Sequence, residues 1–292
     1  MPTAVCDGIP TRYEVLGEGP PLLMFSPGGF NATIENWRTF SIYECLRFLE
    51  HLPRAFSCVV FDKRESGQSG GRVETLLWDL YAKQGIELLD HLGIERAHLM
   101  GGCIGCSIAI EFAVTNPDRT SSIVLYSPAG GPRYQMTQRG RFFDHASYVE
   151  QYGLAEVVTL ARSGDKTFAQ DPRVGPWVST IRNDDEFAKA YAQQDAAEYL
   201  RVVASSCELL FDRETVPGPG AGELMRLQIP TLVVPGRDAN HATSAAWYLE
   251  ECLPESEFWD LPPDEQTEAN APARVLDFLQ RSSDSPRTSA AI

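Results

Sequence analysis

The chain has 292 residues, 43% of them hydrophobic and 22% charged, an ordinary globular composition with length for one large domain carrying an insertion. Acidic residues outnumber basic ones by 40 to 25, and the resulting formal charge of −15 repels phosphate backbones and anionic lipid, so no nucleic acid and no membrane are expected as partners. The N-terminal MPTAVCDGIP lacks the basic start and apolar run of a secretory signal, and no window is apolar enough for a membrane helix, which predicts a cytoplasmic protein.

In chain order, residues 11–16 and 22–26 read as two strands joined by Gly17-Glu18-Gly19-Pro20-Pro21, predicting a hairpin at a sheet edge. Residues 37–52 place Phe40, Tyr43, Leu46 and Leu49 at helical spacing, and a buried strand over 58–61 leads into the loop from Asp62 to Gly70. A helix over 74–92, a strand over 97–100, the turn Gly101-Gly102-Cys103-Ile104-Gly105, a helix to residue 115 and a strand over 122–127 follow. This alternation predicts a parallel sheet with helices on both faces and a ligand at the carboxyl ends of its strands.

Residues 130–228 break the alternation with helix-like stretches at 143–153, 154–162 and 185–211. They read as a helical cap inserted between the sixth and seventh strands, leaving residues 1–129 and 229–280 as the core. The cap is expected to roof a mostly apolar pocket with segments such as 148–160 and 188–210. The alternation resumes with a strand over 231–234, a helix over 243–253, a strand over 257–261 and a helix over 268–280; the small, polar tail 281–292 reads as disordered. The seven cysteines are too scattered for a disulfide framework. No metal and no cofactor are expected, a small molecule is the expected partner, and a homodimer is allowed for.

A strand, then small-x-nucleophile-x-small, then a helix makes a nucleophile elbow, whose strained central residue and close strand-to-helix approach demand small flanking residues. Gly101 and Gly105 fill those positions around Cys103, and on this motif the chain resembles the α/β-hydrolase fold superfamily. Three further stretches resemble it. The run Phe25-Ser26-Pro27-Gly28-Gly29-Phe30 is similar to its oxyanion loop, with Pro27-Gly28 in place of the usual His-Gly. The loop from Asp62 through Arg64, Gly67 and Ser69 is similar to its Asp-x-Arg-x-x-Gly-x-Ser loop, in which the arginine is structural. The run Pro230 to Asp238 is similar to the strand that delivers the triad acid.

The resemblance covers residues 10–128 and 228–280. It implies an α/β fold with Cys103 as nucleophile, Asp238 as orienting acid, and an oxyanion hole from the amides of Ile104 and of Gly29 or Phe30. Most members carry serine at the elbow; dienelactone hydrolases and polyhydroxyalkanoate synthases resemble this chain in placing cysteine there. A thiol at a helix N-terminus needs less help from a base than a hydroxyl does.

The family's histidine after the last strand is missing, since no histidine follows His241. The base is then His241, or Glu265 or Asp264 near the vacated position, or His145 from the cap, or absent. Three residues separate Asp238 from His241, which suggests that Asp238 braces the loop rather than orienting the ring. The leading functional expectation is a hydrolase acting on an ester, lactone, thioester or activated carbon-carbon bond through an acyl-cysteine. The alternatives are an acyltransferase and a ligand-binding descendant without catalysis, as in some hormone receptors of the superfamily. A redox role for Cys103-Ile104-Gly105-Cys106 is disfavoured, because in an elbow Cys106 points under the helix.

Overall fold

A computed structural model describes residues 2–284 and centres on an eight-stranded sheet of order β1-β2-β4-β3-β5-β6-β7-β8. β1 (Thr3–Cys6) and β2 (Ile9–Leu16) form an antiparallel hairpin at the edge, and β2 pairs antiparallel with β4 (Ser57–Phe61). β4, β3 (Pro21–Phe25), β5 (Ala97–Gly102), β6 (Thr120–Tyr126), β7 (Thr231–Val234) and β8 (Ser256–Phe258) then run parallel to one another. The doubly covered α/β sheet expected from the alternation is present.

The hairpin expected between residues 11–16 and 22–26 does not form, because β4 lies between those strands. Leu22, Leu23, Met24 and Phe25 are all buried, which requires a paired neighbour on each side rather than an edge. The β2-to-β3 connection instead passes tightly over the chain entering β4: a Cβ on Gly17 would lie 2.1 Å from the Pro53 carbonyl oxygen.

The helical spacing over residues 37–52 also misleads. The chain there forms three short helices, α1 (Asn36–Thr39), α2 (Ile42–Leu46) and α3 (Phe48–His51), broken where Ser41 and Arg47 take φ of 51° and 53°. The breaks fold Trp37 edge-on against Tyr43, ring centroids 5.1 Å apart, and against Phe48. Periodicity reported a shared buried face, not a continuous helix.

α4 (Trp78–His91) begins four residues later than the predicted 74, and α5 (Gly105–Thr115) follows the elbow. Alternate residues of each strand supply two cores. Leu23, Phe25, Val59, Phe61 and Leu99 pack with α4 and α5, whereas Leu22, Met24, Cys58, Val60 and Met100 pack with α1 to α3 and the closing helix.

Between β6 and β7 come α6 (Pro132–Tyr152), α7 (Leu154–Arg162), α8 (Val178–Asn183), α9 (Asp185–Ala192), α10 (Ala196–Leu210) and α11 (Ala221–Leu224). α6 starts eleven residues before the expected 143, with Pro132 in its first turn, where a missing N–H costs nothing. α12 (Thr243–Cys252) and α13 (Ala271–Asp284) complete the chain. Residues 281–284, expected in the disordered tail, continue α13, and Arg281 pairs with Glu257 at 2.9 Å. The rest of that expectation, residues 285–292, lies outside the described residues. Among the described residues no helix is long and apolar enough to cross a membrane.

Candidate active site

Cys103 sits where β5 gives way to α5, at φ 56°, a conformation that L-residues rarely adopt. Its N–H donates to the Tyr126 carbonyl at 3.1 Å, and its own carbonyl accepts from Ala129 at 3.2 Å, so the chain leaving β6 holds the strained turn. The flanking glycines are steric requirements. A Cβ on Gly101 would lie 2.4 Å from the Gly105 oxygen, and one on Gly105 would lie 2.2 Å from the Phe25 oxygen. Gly101→Ala or Gly105→Ala is therefore expected to cost about 3 kcal/mol or more, read as a lower urea midpoint. Gly140→Ala, inside α6 with nothing within 4 Å, should instead gain up to about 1 kcal/mol.

The Cys103 side chain, 8% exposed, opens on a cavity of about 320 Å³. Gly29 and Phe30 line the opposite wall, in a loop pinned by Asn36, whose Nδ2 donates to the carbonyls of Pro27 at 2.7 Å and Asn31 at 2.6 Å. Ser66 Oγ donates to the Phe30 carbonyl at 3.1 Å, and the Phe30 ring packs edge-on against Phe142 and Phe168. Ile104 lines a small adjoining chamber that also touches Gly29 and Phe30. Among the described residues the amides of Gly29, Phe30 and Ile104 donate to no protein acceptor. Arg64, read as structural, is buried and paired with Glu65 at 2.8 Å and with Glu74.

His241 lies on the same cavity wall as Cys103. The loop after β7 curls back so that the Asp238 carboxylate accepts from the N–H groups of Asn240 (2.7 Å) and His241 (3.0 Å). The same carboxylate meets His241 Nδ1 at 2.8 and 2.9 Å. Three residues of separation thus suffice for Asp238 to orient the ring directly, correcting the expectation that it only braces the loop. This contact puts a proton on Nδ1 and leaves Nε2 for the Cys103 side. Burial works against a charged imidazole, but Cys103 and Asp238 outweigh it and push the His241 pKa up to about 10. The hydrogen bond from His241 takes Asp238 down to about 2.

The other expected bases fall away from the cavity. Asp264 and Glu265 are exposed and line neither chamber, so Glu265 as alternative base is corrected: that loop turns Gln266 inward instead, bonded to the Tyr126 hydroxyl and donating to Leu261 at 2.8 Å. His145 is fully buried with both ring nitrogens engaged, by the Tyr199 hydroxyl at 2.6 Å and the Arg173 carbonyl at 3.2 Å, and burial lowers its pKa to about 4. Cys106 points beneath the helix as expected, its thiol donating to the Gly101 carbonyl at 3.1 Å. No group of histidine, cysteine and carboxylate side chains among the described residues is arranged to hold a metal ion.

The cavity walls correct a further expectation. Segments 148–160 do not line it, and of 188–210 only Leu210 reaches the adjoining chamber. The wall above Cys103 comes instead from Tyr134, Gln138 and Arg141 on α6 and from Thr167 to Gln170. Their signal was the spacing 134, 138, 141, one stripe of a helix, hidden because two of the three side chains are polar.

A model of the alpha/beta hydrolase fold matches residues 21–238. The acetyltransferase component of the acetoin cleaving system of Cupriavidus necator is 33% identical over 124 residues, 42% of this chain and 31% of that protein. The protein named putative carbamate hydrolase RutD of Azorhizobium caulinodans is 28% identical over 125 residues, 43% of each chain. The chain thus spans less than half the length of these curated relatives. Among solved structures, a thermophilic esterase from Thermogutta terrifontis superposes with a TM-score of 0.63 at 20% identity, over 96% of this chain and 98% of that one, a likeness of fold.

Proposed function

The chain belongs to the alpha/beta hydrolase fold family, and on that premise we propose that it hydrolyses a small carbonyl substrate with Cys103 as nucleophile, His241 as acid and base, and Asp238 as the group that orients His241. The observation that supports this most is the shared cavity wall: Cys103 and His241 line one cavity, while Asp238 holds the far nitrogen of the ring at 2.8 Å. The Asp238–His241 contact supports His241 in the place of the histidine missing after β8, and so favours catalysis over a ligand-binding descendant.

Burial notwithstanding, the His241 pKa is pushed up to about 10, which suits the ring to hold the proton that the Cys103 sulfur gives up on attack. The sulfur attacks the substrate carbonyl carbon. A C–S bond forms, the π pair moves to oxygen, and the amides of Ile104 and of Gly29 or Phe30 receive the oxyanion. Collapse re-forms the carbonyl and expels the leaving group, which takes the proton from His241 Nε2. Water then attacks the acyl-cysteine and gives that nitrogen a proton. The second collapse releases the carboxylic acid and returns the Cys103 sulfur and the His241 ring to their starting state. The α6 wall and residues 167–170 serve as a cap that selects the substrate.

The test is a screen of aryl esters, thioesters and lactones, with rapid quenching and mass spectrometry. Expected is an acyl adduct on the peptide bearing Cys103; turnover without that adduct would overturn the assignment. A second outcome follows from reactivity rather than access. Limiting iodoacetamide at neutral pH should label Cys103 ahead of Cys45, although Cys45 is exposed and Cys103 is buried. Labelling that follows exposure would mark Cys103 as an ordinary packed thiol.

A further inference from the structure

The cavity carries a charge that the fold leaves unanswered. Arg141 lies on the α6 stripe with Tyr134 and Gln138, lines the cavity beside Cys103, and is half-buried. Among the described residues it makes no hydrogen bond and no ion pair. The arginines drawn into the core behave otherwise: Arg12 pairs with Glu35 at 2.6 Å and Arg64 with Glu65 at 2.8 Å. Burial disfavours the charged form of Arg141, and the one titratable group that opposes this is the Tyr134 phenol. In the adjoining chamber Lys63 is also buried, but Glu65 answers its charge at 3.4 Å.

Among the described residues no acidic side chain lines either chamber, in a chain of net charge −15. A guanidinium withdrawn from water without a counter-charge is unfavourable, and its planar fork of donors matches a carboxylate. His241 does not supply this positive potential, because Asp238 already balances it. Among the described residues, Arg141 is the cation on the wall beside Cys103 that no carboxylate pairs.

We propose that Arg141 receives a carboxylate of the substrate, so that the protein acts on carbonyl compounds bearing a second, anionic carboxyl group, such as half-esters or half-thioesters of small dicarboxylic acids. This rests on Cys103 being the nucleophile, since it places the scissile carbonyl at Cys103 and the anion at the cap wall. The carboxylate binds in both ground and transition states, so the interaction acts mainly on KM.

The test compares two probes, an aryl thioester of glutaric acid with its far carboxyl free and the same compound with that carboxyl capped as a methyl ester. In the native protein kcat/KM is expected to favour the free acid by about 10- to 100-fold, the worth of a hydrogen-bonded charge pair. In Arg141→Gln the ratio should fall to about one, mostly through KM, and Arg141→Lys should keep part of it. A native ratio at or below one, or a ratio unchanged by Arg141→Gln, would overturn the proposal and show a guanidinium that faces solvent. If neither probe is turned over, the nucleophile reading fails by itself. Calorimetric titration with glutarate then decides the anion site: binding weakened about tenfold in Arg141→Gln supports it, and equal or absent binding in both proteins overturns it.

Discussion

Cys103→Ala is expected to abolish turnover, with kcat falling by at least about 10⁴-fold and no acyl adduct forming. Alanine tolerates the φ of 56° no worse than cysteine, and the buried side chain loses only its sulfur, on the cavity wall, so the fold should survive. Cys103→Ser is the sharper variant. Serine retains the shape, but a hydroxyl is a far weaker acid and a poorer nucleophile than a thiol. The serine protein must then draw its proton off during attack, and a loss of about 10²- to 10⁴-fold in acylation is expected, the usual worth of a positioned proton transfer. Burst kinetics with an aryl thioester would show it as a lost burst. Alanine turnover above one part in about a hundred would rule out covalent catalysis by Cys103.

The elbow was legible because its constraint is local: two backbones approach within the space of a methyl group, and only Gly101 and Gly105 permit it. The central strands were legible because burial on both faces writes continuous apolar runs such as Leu22 to Phe25. The hairpin was not, because the strand that separates β2 from β3 comes some 40 residues later and nothing in the intervening turn announces it. The first half of α6 was obscured by Gly140 and by Thr137, Gln138, Arg139 and Arg141, a polar run that reads as loop. Gln138 and Arg141 are polar and line the cavity rather than a core, and Thr137 is exposed, so periodicity failed where the site is. His241 was legible as a neighbour of Asp238, but its direct bond was not. The loop dihedrals decide whether a side chain three residues on returns to its partner.

His241→Ala is expected to slow acylation by about 10²- to 10⁴-fold, and Asp238→Asn by at least about 10²-fold, while Glu265→Gln leaves both half-reactions as they are. The pH profile separates a catalytic pair from a merely structural one. The folded His241 pKa is raised from 6.5 to about 10, so the imidazolium is present below that value and is lost as pH rises through it. The native protein should therefore keep its acylation rate well into the alkaline range and lose it near pH 10. Asp238, held at about 2, remains charged down to strongly acidic pH and should add no acid limb in the working range. Asp238→Asn removes one of the two groups holding the proton, so its alkaline limb should move down toward the ordinary histidine value. Stability follows the same sign. The contribution from protonated His241 is complete below about pH 6.5 and disappears as pH rises toward 10, so the urea midpoints of the native protein and His241→Ala should converge across that interval. An alkaline limb that stays in place in Asp238→Asn would show that the carboxylate holds the loop and not the proton. A His241→Ala protein that acylates at the native rate would remove the histidine from the mechanism altogether.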